Sequence, residues 1–249
     1  MKIINKTLIL FMLYSLNLVA SEVSYETHAL QNKDLPSLSE FLGDTFYRSR
    51  SQWSQRELNY PLLEQKENGL IIDDTKEIVT LHHTVTGARP ETQSEHRPED
   101  ELEILTQIEA LHIDQFEFSD VGYHFIIGQS GVVFEARPIT YVGAHTRSLN
   151  HRNAGIAFLG CFDDQACLEE GLQPSEVSEA MVESAAKLIA YLSLKEGFAI
   201  TRDTVIPRSI YENSKIGHAR FPHSPGSRIL ARVEDILTRA CEIAEQSAG

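Results

Sequence analysis

The order of hydrophobic and polar positions along the chain predicts a series of β-strands. Residues 77–82, with the sequence EIVTLH, alternate in character and are rich in β-branched side chains, which predicts a strand that leads into His83. The stretches VGYHFII and VVFEARP flank a turn at 128–131 and together predict a β-hairpin. Residues 154–160, AGIAFLG, are continuously apolar, as expected for a central strand that is covered on both faces.

Apolar residues at helical spacing separate or follow these strands. Residues 98–113 carry leucine and isoleucine at intervals of three and four, which predicts a helix, and we expect His112 beside this stripe to be a buried, hydrogen-bonded core residue. A second helix is predicted over 174–196 and a third over about 227–245. Strands separated by helices, with one hairpin among them, predict an α/β fold with a single central mixed β-sheet flanked by helices.

The pattern at the start of the chain predicts export. Within residues 1–20 two lysines precede a short apolar run that ends at a small residue, which is typical of a cleaved secretory signal peptide. The run is shorter than the roughly 20 apolar residues of a membrane-spanning helix. We therefore expect a secreted or periplasmic protein. Residues 21–45 are polar and weakly patterned and are interpreted as a lead-in segment, whereas 46–245 form the main domain.

Charge and cysteine content narrow the possible partners. The net charge of −14 argues against nucleic acid as a ligand, and no later segment is apolar enough to span a membrane. We expect a monomer. A disulfide between Cys161 and Cys167 that leaves Cys241 over is one interpretation, and three reduced thiols is the other, because spacing alone does not fix a bridge. Neither interpretation supplies a catalytic cysteine.

Two histidines in separate parts of the sequence are candidates for a metal site. His82 ends a predicted strand, and His218 also adjoins a strand-like segment, so the two imidazoles would converge if these segments end on one face. Zinc sites are often assembled in this way, with one coordination position left for water. The chain has ten histidines, and the spacing of these two predicts a metal site only weakly. A serine hydrolase is disfavoured because no serine lies in a tight turn between glycines.

Several ordered motifs resemble the peptidoglycan recognition protein and phage-lysozyme-type amidase family. The first of them, RSQW at 50–53, resembles the Arg-x-x-Trp at which this domain commonly opens. The resemblance covers about residues 46–243 and implies the fold of that family. The other motifs are IVTLHHT at 78–84, SDVGYHFIIGQSGVVFEARP at 119–138, GAHTRSLN at 143–150, AGIAFLG at 154–160 and GHARFPHSPGSRIL at 217–230.

The resemblance implies a zinc-dependent N-acetylmuramoyl-L-alanine amidase. Such an enzyme hydrolyses the amide between the lactyl group of muramic acid and the L-alanine of the stem peptide of peptidoglycan. His82 and His218 match two ligands of the Zn²⁺ ion, and Tyr123 matches the tyrosine beside the metal-bound water of catalytic members. The positions that line the groove for the muramyl peptide are matched by His145, Arg147 and Asn150.

The third ligand is the point at which the sequence departs from the family pattern. Ser224 stands where catalytic relatives carry Cys or Asp, and a serine hydroxyl is a poor zinc ligand. The neighbouring His223 is interpreted as the third ligand, as a catalytic partner of the developing oxyanion, or as a bystander. We expect an amidase in which His223 joins Tyr123 in catalysis. The alternative is a non-catalytic peptidoglycan-binding protein, because relatives with serine at this position are typically receptors.

Overall fold

The structure, a computed structural model, describes residues 34–65, 69–87, 98–219 and 221–248, with the backbone alone at 98–100. The predicted signal peptide and the first part of the lead-in segment lie outside these residues. Among the residues that are described, none of the helices combines the length and the apolar character needed to cross a bilayer.

Six strands form one mixed sheet, in the order β1-β4-β3-β5-β2-β6. The β3–β4 pair is antiparallel, as the predicted hairpin requires, and the other neighbouring pairs are parallel. Strand β5 lies inside the sheet and all of its residues are buried, which confirms the prediction for the AGIAFLG segment. The strands are β1 (Tyr47–Arg48), β2 (Ile78–His83), β3 (Phe125–Ile127), β4 (Val133–Glu135), β5 (Asn153–Phe158) and β6 (Val205–Pro207).

Helices flank this sheet, as the apolar spacing predicts. The first predicted helix is present and continues beyond Ala110 as a π-helical turn, Leu111–Gln115. His112 in this turn is buried and its Nδ1 accepts a hydrogen bond from the backbone N–H of Gly122, as expected. The helices are α1 (Leu38–Leu42), α2 (Tyr60–Glu64), α3 (Pro98–Ala110), α4 (Asp164–Glu170), α5 (Glu179–Glu196), α6 (Arg208–Ile216), α7 (Ser227–Leu230) and α8 (Val233–Ala248).

Two helix boundaries differ from the sequence prediction. Helix α5 begins at Glu179 rather than Pro174, because the Ser178 side chain caps it by accepting a hydrogen bond from the N–H of Met181. The predicted last helix is two helices, α7 and α8, with a turn at 231–232. The apolar spacing continues across that turn, so the periodicity does not reveal it.

The sheet has an apolar core on each face. One core joins β2 and β5 to α5 and α8, and Leu42 of α1 is buried in it. The described part of the lead-in segment is therefore packed against the domain. The second core is smaller and lies around Trp53 and Leu105 of α3. Burial of these side chains on both faces fixes the sheet and so the positions of its strand ends.

A disulfide joins the end of β5 to α4. Cys161 and Cys167 are bonded, which selects the first of the two interpretations of the cysteines. Cys241 is a buried free thiol, and burial raises its pKa to about 11. The bridge fixes α4 close to the sheet edge at which β2 and β5 end.

Candidate functional site

A cleft of about 1130 Å³ lies at the carboxyl ends of the parallel strands β2 and β6. Residues that follow β2 and β6 contribute to it, together with the π-helical turn after α3, the 144–150 loop, α4 and the 221–224 segment. Crevices at the carboxyl ends of strands are the usual ligand sites of α/β sheets. The volume is sufficient for a ligand larger than a single sugar.

His82 and His145 form a buried pair beside this cleft. The Nε2 of His82 lies 3.0 Å from the Nδ1 of His145, and both side chains are almost fully buried. Burial lowers the pKa of His82 well below its usual value and that of His145 to about 3, so both rings are neutral at pH 7. Gly155 leaves room for this pair, since a Cβ there would lie 2.6 Å from the His145 ring.

The hydrogen bonds of this pair fix its tautomers. The Nε2 of His145 faces the backbone carbonyl of Asn153 at 3.3 Å and must donate, because a carbonyl only accepts. The Nδ1 of neutral His145 is then an acceptor, and the Nε2–H of His82 donates to it. The Nδ1 of His82 consequently carries a lone pair, and it has no hydrogen-bond partner within the part of the chain that the structure describes.

Tyr123 and Asn150 complete this part of the cleft. The ring of Tyr123 lies 5.2 Å from that of His82, and burial raises the pKa of its hydroxyl, so it is protonated. The Oδ1 of Asn150 accepts hydrogen bonds from the backbone N–H groups of His145 and Thr146 at 3.0 and 2.6 Å. Asn150 thus holds the loop that carries His145, and Arg147 of the same loop is an exposed cleft residue.

The structure separates the two later histidines of the predicted metal site. His218 follows α6 on the surface and is absent from the cleft wall. His223 does line the cleft, and its Nδ1 lies 3.0 Å from the Oδ1 of Asp163. The adjacent Ser224 is buried, and its Oγ has no partner within the described residues. Of the predicted site residues, the structure therefore brings His82, Tyr123, His145, Arg147, Asn150 and His223 to this edge of the sheet and leaves His218 outside.

Asp163 is a largely buried carboxylate beside the cleft. Its Oδ1 caps α4 by accepting from the N–H groups of Gln165 and Ala166, and its Oδ2 accepts from the N–H of Ser227. Burial alone would raise the pKa of Asp163, but the backbone hydrogen bonds of Ala166 and Ser227 and the charge of His223 bring it below the usual value. Asp163 is thus an ionised group that orients His223 at the cleft.

Arg208 is a cleft residue that sequence reasoning missed. Strands β2 and β6 are parallel and pair Leu81 with Pro207. His82 follows Leu81 in β2, and Arg208 follows Pro207 as the first residue of α6, so both come at the same end of the strand pair. The Arg208 side chain lines the cleft but is only 11% exposed. The signal in the sequence that would have found it is a basic residue directly after the short apolar segment Val205–Pro207.

A sequence model described as N-acetylmuramoyl-L-alanine amidase matches residues 73–228, more than half of the chain. The chain belongs to this amidase family. The match includes His82, Tyr123, Arg208 and Ser224, so the family region contains the whole candidate site.

Individual relatives agree with this assignment. The chain is 37% identical to peptidoglycan-recognition protein SA of Drosophila melanogaster over 98 residues, which are 39% of this chain and 45% of that protein. It is 33% identical to an N-acetylmuramoyl-L-alanine amidase of Sus scrofa over 93 residues, 37% of this chain and 15% of that protein. The chain spans less than half the length of these curated relatives.

Solved structures confirm the expected fold. The structure of bumblebee PGRP-SA superposes with a TM-score of 0.55 at 25% identity and covers 76% of this chain and 93% of its own. Drosophila PGRP-LB superposes with a TM-score of 0.56 at 19% identity and covers 76% of this chain and 92% of its own, which supports the fold alone.

The amidase family is generally zinc-dependent, but the donor set of this cleft does not fit a zinc ion. The free lone pair on His82 Nδ1 is suitable for one coordinate bond. His218 lies outside the cleft wall, however, and Ser224 offers a neutral hydroxyl. Across the described residues, no group of three or more His, Cys, Asp or Glu side chains is arranged to hold a metal.

Proposed function

We propose that this protein binds muramyl peptides, the repeating fragments of peptidoglycan, in the cleft at the ends of β2 and β6. The observation that carries the proposal is the composition of the cleft. One wall is apolar and aromatic, with Phe116, Phe118 and Tyr123, and polar groups from other segments face the same space, among them Arg147 and Asn150. A glycopeptide offers apolar sugar and alanine surfaces beside amides and hydroxyls, which is the chemistry that such a cleft accommodates.

Solved structures of the same fold support the ligand class. A mutant of Drosophila PGRP-LB has been solved in complex with tracheal cytotoxin. Peptidoglycan recognition protein-LE has been solved with the same ligand, which is described as monomeric diaminopimelic acid-type peptidoglycan. The proposal carries this ligand class over to the cleft of the present chain because the family region 73–228 spans its walls.

Binding without cleavage is better supported than hydrolysis. Three features favour it: the exposed position of His218, the serine at 224, and the 3.0 Å contact that engages the Nδ1 of His223 with Asp163. None of these features disturbs the aromatic wall or the polar groups of the cleft. Binding of a muramyl peptide therefore requires only groups that already line the cleft.

Hydrolysis of the lactyl–L-alanine amide is the second candidate. The unpartnered Nδ1 of His82 and the neighbouring Tyr123 favour it. It requires His218 and His223 to join His82 around zinc, which would supply a Lewis acid for the amide carbonyl. In that case Tyr123 and His223 keep the catalytic roles that the sequence predicts.

Export belongs to the same proposal. Peptidoglycan lies outside the cytoplasm, and the signal peptide predicted over residues 1–20 would deliver the protein there, to the periplasm or the exterior. The Cys161–Cys167 disulfide supports this location, because such bonds persist in oxidising compartments.

Calorimetric titration with a muramyl tripeptide tests the binding proposal. We expect saturable binding, and we expect Phe116→Ala to weaken it about 2- to 13-fold, because an aromatic contact contributes roughly 0.5–1.5 kcal/mol. The matched control is Phe46→Ala, since Phe46 has a similar exposure, 42% against 52% for Phe116, but lies outside the cleft. An equal loss in both variants, or no binding by the unmodified protein, would contradict the proposal.

A further inference from the structure

The two terminal nitrogens of the Arg208 guanidinium are available to a ligand at the cleft. Its Nε lies 3.0 Å from the Oε1 of Glu212, a fully buried carboxylate that does not reach the cleft wall. Its plane is supported by the ring of Phe221, 3.9 Å from the guanidinium carbon. Within the described residues, neither terminal nitrogen of Arg208 makes a further hydrogen bond. Glu212 and Phe221 thus fix the position of the guanidinium.

The surroundings leave this positive charge without a counter-charge on the cleft side. Among the described residues that line the cleft, the only carboxylates are Glu169 and Glu170. The acidic cleft residues Glu169 and Glu170 lie on α4, in a different wall.

A guanidinium with this geometry is suited to one kind of partner. Its terminal N–H groups form a planar fork that matches the two oxygens of a carboxylate. A largely buried cation gains most from such a partner, because it has already lost much of its hydration. A divalent metal, in contrast, gains no ligand from Arg208, because a guanidinium has only N–H donors.

We propose that Arg208 is the anchor for a carboxylate of the bound peptidoglycan fragment and that it supplies the positive charge of this cleft in place of a metal. This inference rests on the proposed binding of muramyl peptides. Two parts of such a ligand offer a carboxylate: the lactyl group of a muramic acid without a peptide, and the acidic residues of the stem peptide.

Affinities for four probes, measured by calorimetry in the presence of a chelator, test the inference. The probes are N-acetylmuramic acid, its lactyl amide, a muramyl tripeptide with free carboxylates, and the same tripeptide with every carboxylate amidated. The variants are Arg208→Gln and Arg208→Lys, with Arg202→Gln as the control, because Arg202 is 74% exposed and lies outside the cleft. Circular dichroism melting checks that each variant is folded.

We expect Arg208→Gln to weaken binding of at least one acid probe about 10- to 100-fold and to change binding of its amide less than 2-fold, since charged hydrogen bonds are lost only with the acid. Arg208→Lys should lose less affinity for the acid probe, and Arg202→Gln should bind all probes like the unmodified protein.

A loss of affinity confined to N-acetylmuramic acid assigns the lactyl carboxylate as the partner of Arg208, and a loss confined to the tripeptide assigns a carboxylate of the stem peptide. Equal affinity of acid and amide for the unmodified protein, or abolition of binding by the chelator, would overturn the inference while leaving the ligand class intact. Failure of the unmodified protein to bind any probe, with or without added zinc, would instead overturn the proposed function.

Discussion

At the scale of single residues, the buried imidazole pair is the most unusual feature of the site. His82 and His145 share one hydrogen bond, and the carbonyl of Asn153 sets the direction of the donors. Both rings must remain neutral to stay buried, which couples the stability of the fold to pH.

Stability should therefore fall as the pH is lowered. The unfolded chain protonates these histidines near pH 6.5, whereas the pKa of His145 in the folded protein is about 3. The contribution of neutral His145 to the free energy of unfolding is therefore complete above pH 6.5 and is lost as the pH falls toward 3. Each such histidine adds up to about 1.4 kcal/mol per pH unit to the slope of the unfolding free energy. Urea denaturation at pH 7, 6 and 5 should show a shallower slope for His145→Gln than for the unmodified protein. The exposed His218 provides the control, and an equal reduction in slope for His218→Gln would contradict the assignment.

Residue identities in the site were partly predictable from sequence. His82, Tyr123, His145 and Asn150 lie in motifs that resemble a known family, and each lies at the cleft or beside it. Their contacts were not predictable, because hydrogen bonds across 63 residues, such as that between His82 and His145, depend on which strands pair. Arg208 was missed for the same reason, since only the register of β2 and β6 brings it to His82.

At the scale of elements, the described part of the lead-in segment, residues 34–45, packs against the sheet and its helices. Helix α1 begins with a capping box between Ser37 and Glu40 and buries Leu42 in the core of α5 and α8. The ring of Phe41 packs edge to face on Tyr191 of α5 at 5.3 Å. A five-residue helix of this kind is stable only through such packing.

Truncation of Leu42 should consequently destabilise the whole domain. Leu42→Ala is expected to reduce the free energy of unfolding by about 2–4 kcal/mol, because it leaves a cavity in a closed core. Leu62→Ala provides the comparison: this side chain is 54% exposed, so the change should stay within about 0.5 kcal/mol. Chemical denaturation measures both values. Similar values for the two variants would mean that α1 does not pack on the core in solution.

Element predictions succeeded where the apolar pattern was long and failed where it was short. Strands β2 and β5 and helices α3 and α5 follow from periodicity, with errors at their ends. The two residues of β1 carry too little pattern to be found, and the short α1 lay in a segment without evident periodicity. Tertiary contacts rather than local sequence stabilise elements of this length.

At the scale of the whole molecule, the candidate site lies at one edge of the sheet, where β2 and β6 end. The pattern of strands and helices predicted the mixed sheet, but not the order β1-β4-β3-β5-β2-β6 that brings β2 between β5 and β6. Motif order led to the family, whose match the comparison confirmed. The same motifs predict His218 as a zinc ligand. Helix α6, however, separates His218 from the end of β6 and leaves it on the surface.

The central claim is that this cleft binds a muramyl peptide without a metal and without cutting it. The most direct measurement is a calorimetric titration of chelator-treated protein with a muramyl tripeptide, followed by mass spectrometry of the ligand before and after zinc is added. We predict saturable one-to-one binding and an intact ligand in both samples. Binding that needs zinc, or zinc-dependent release of a peptide with a free L-alanine amine that His82→Ala abolishes, would contradict the account and establish the protein as an amidase.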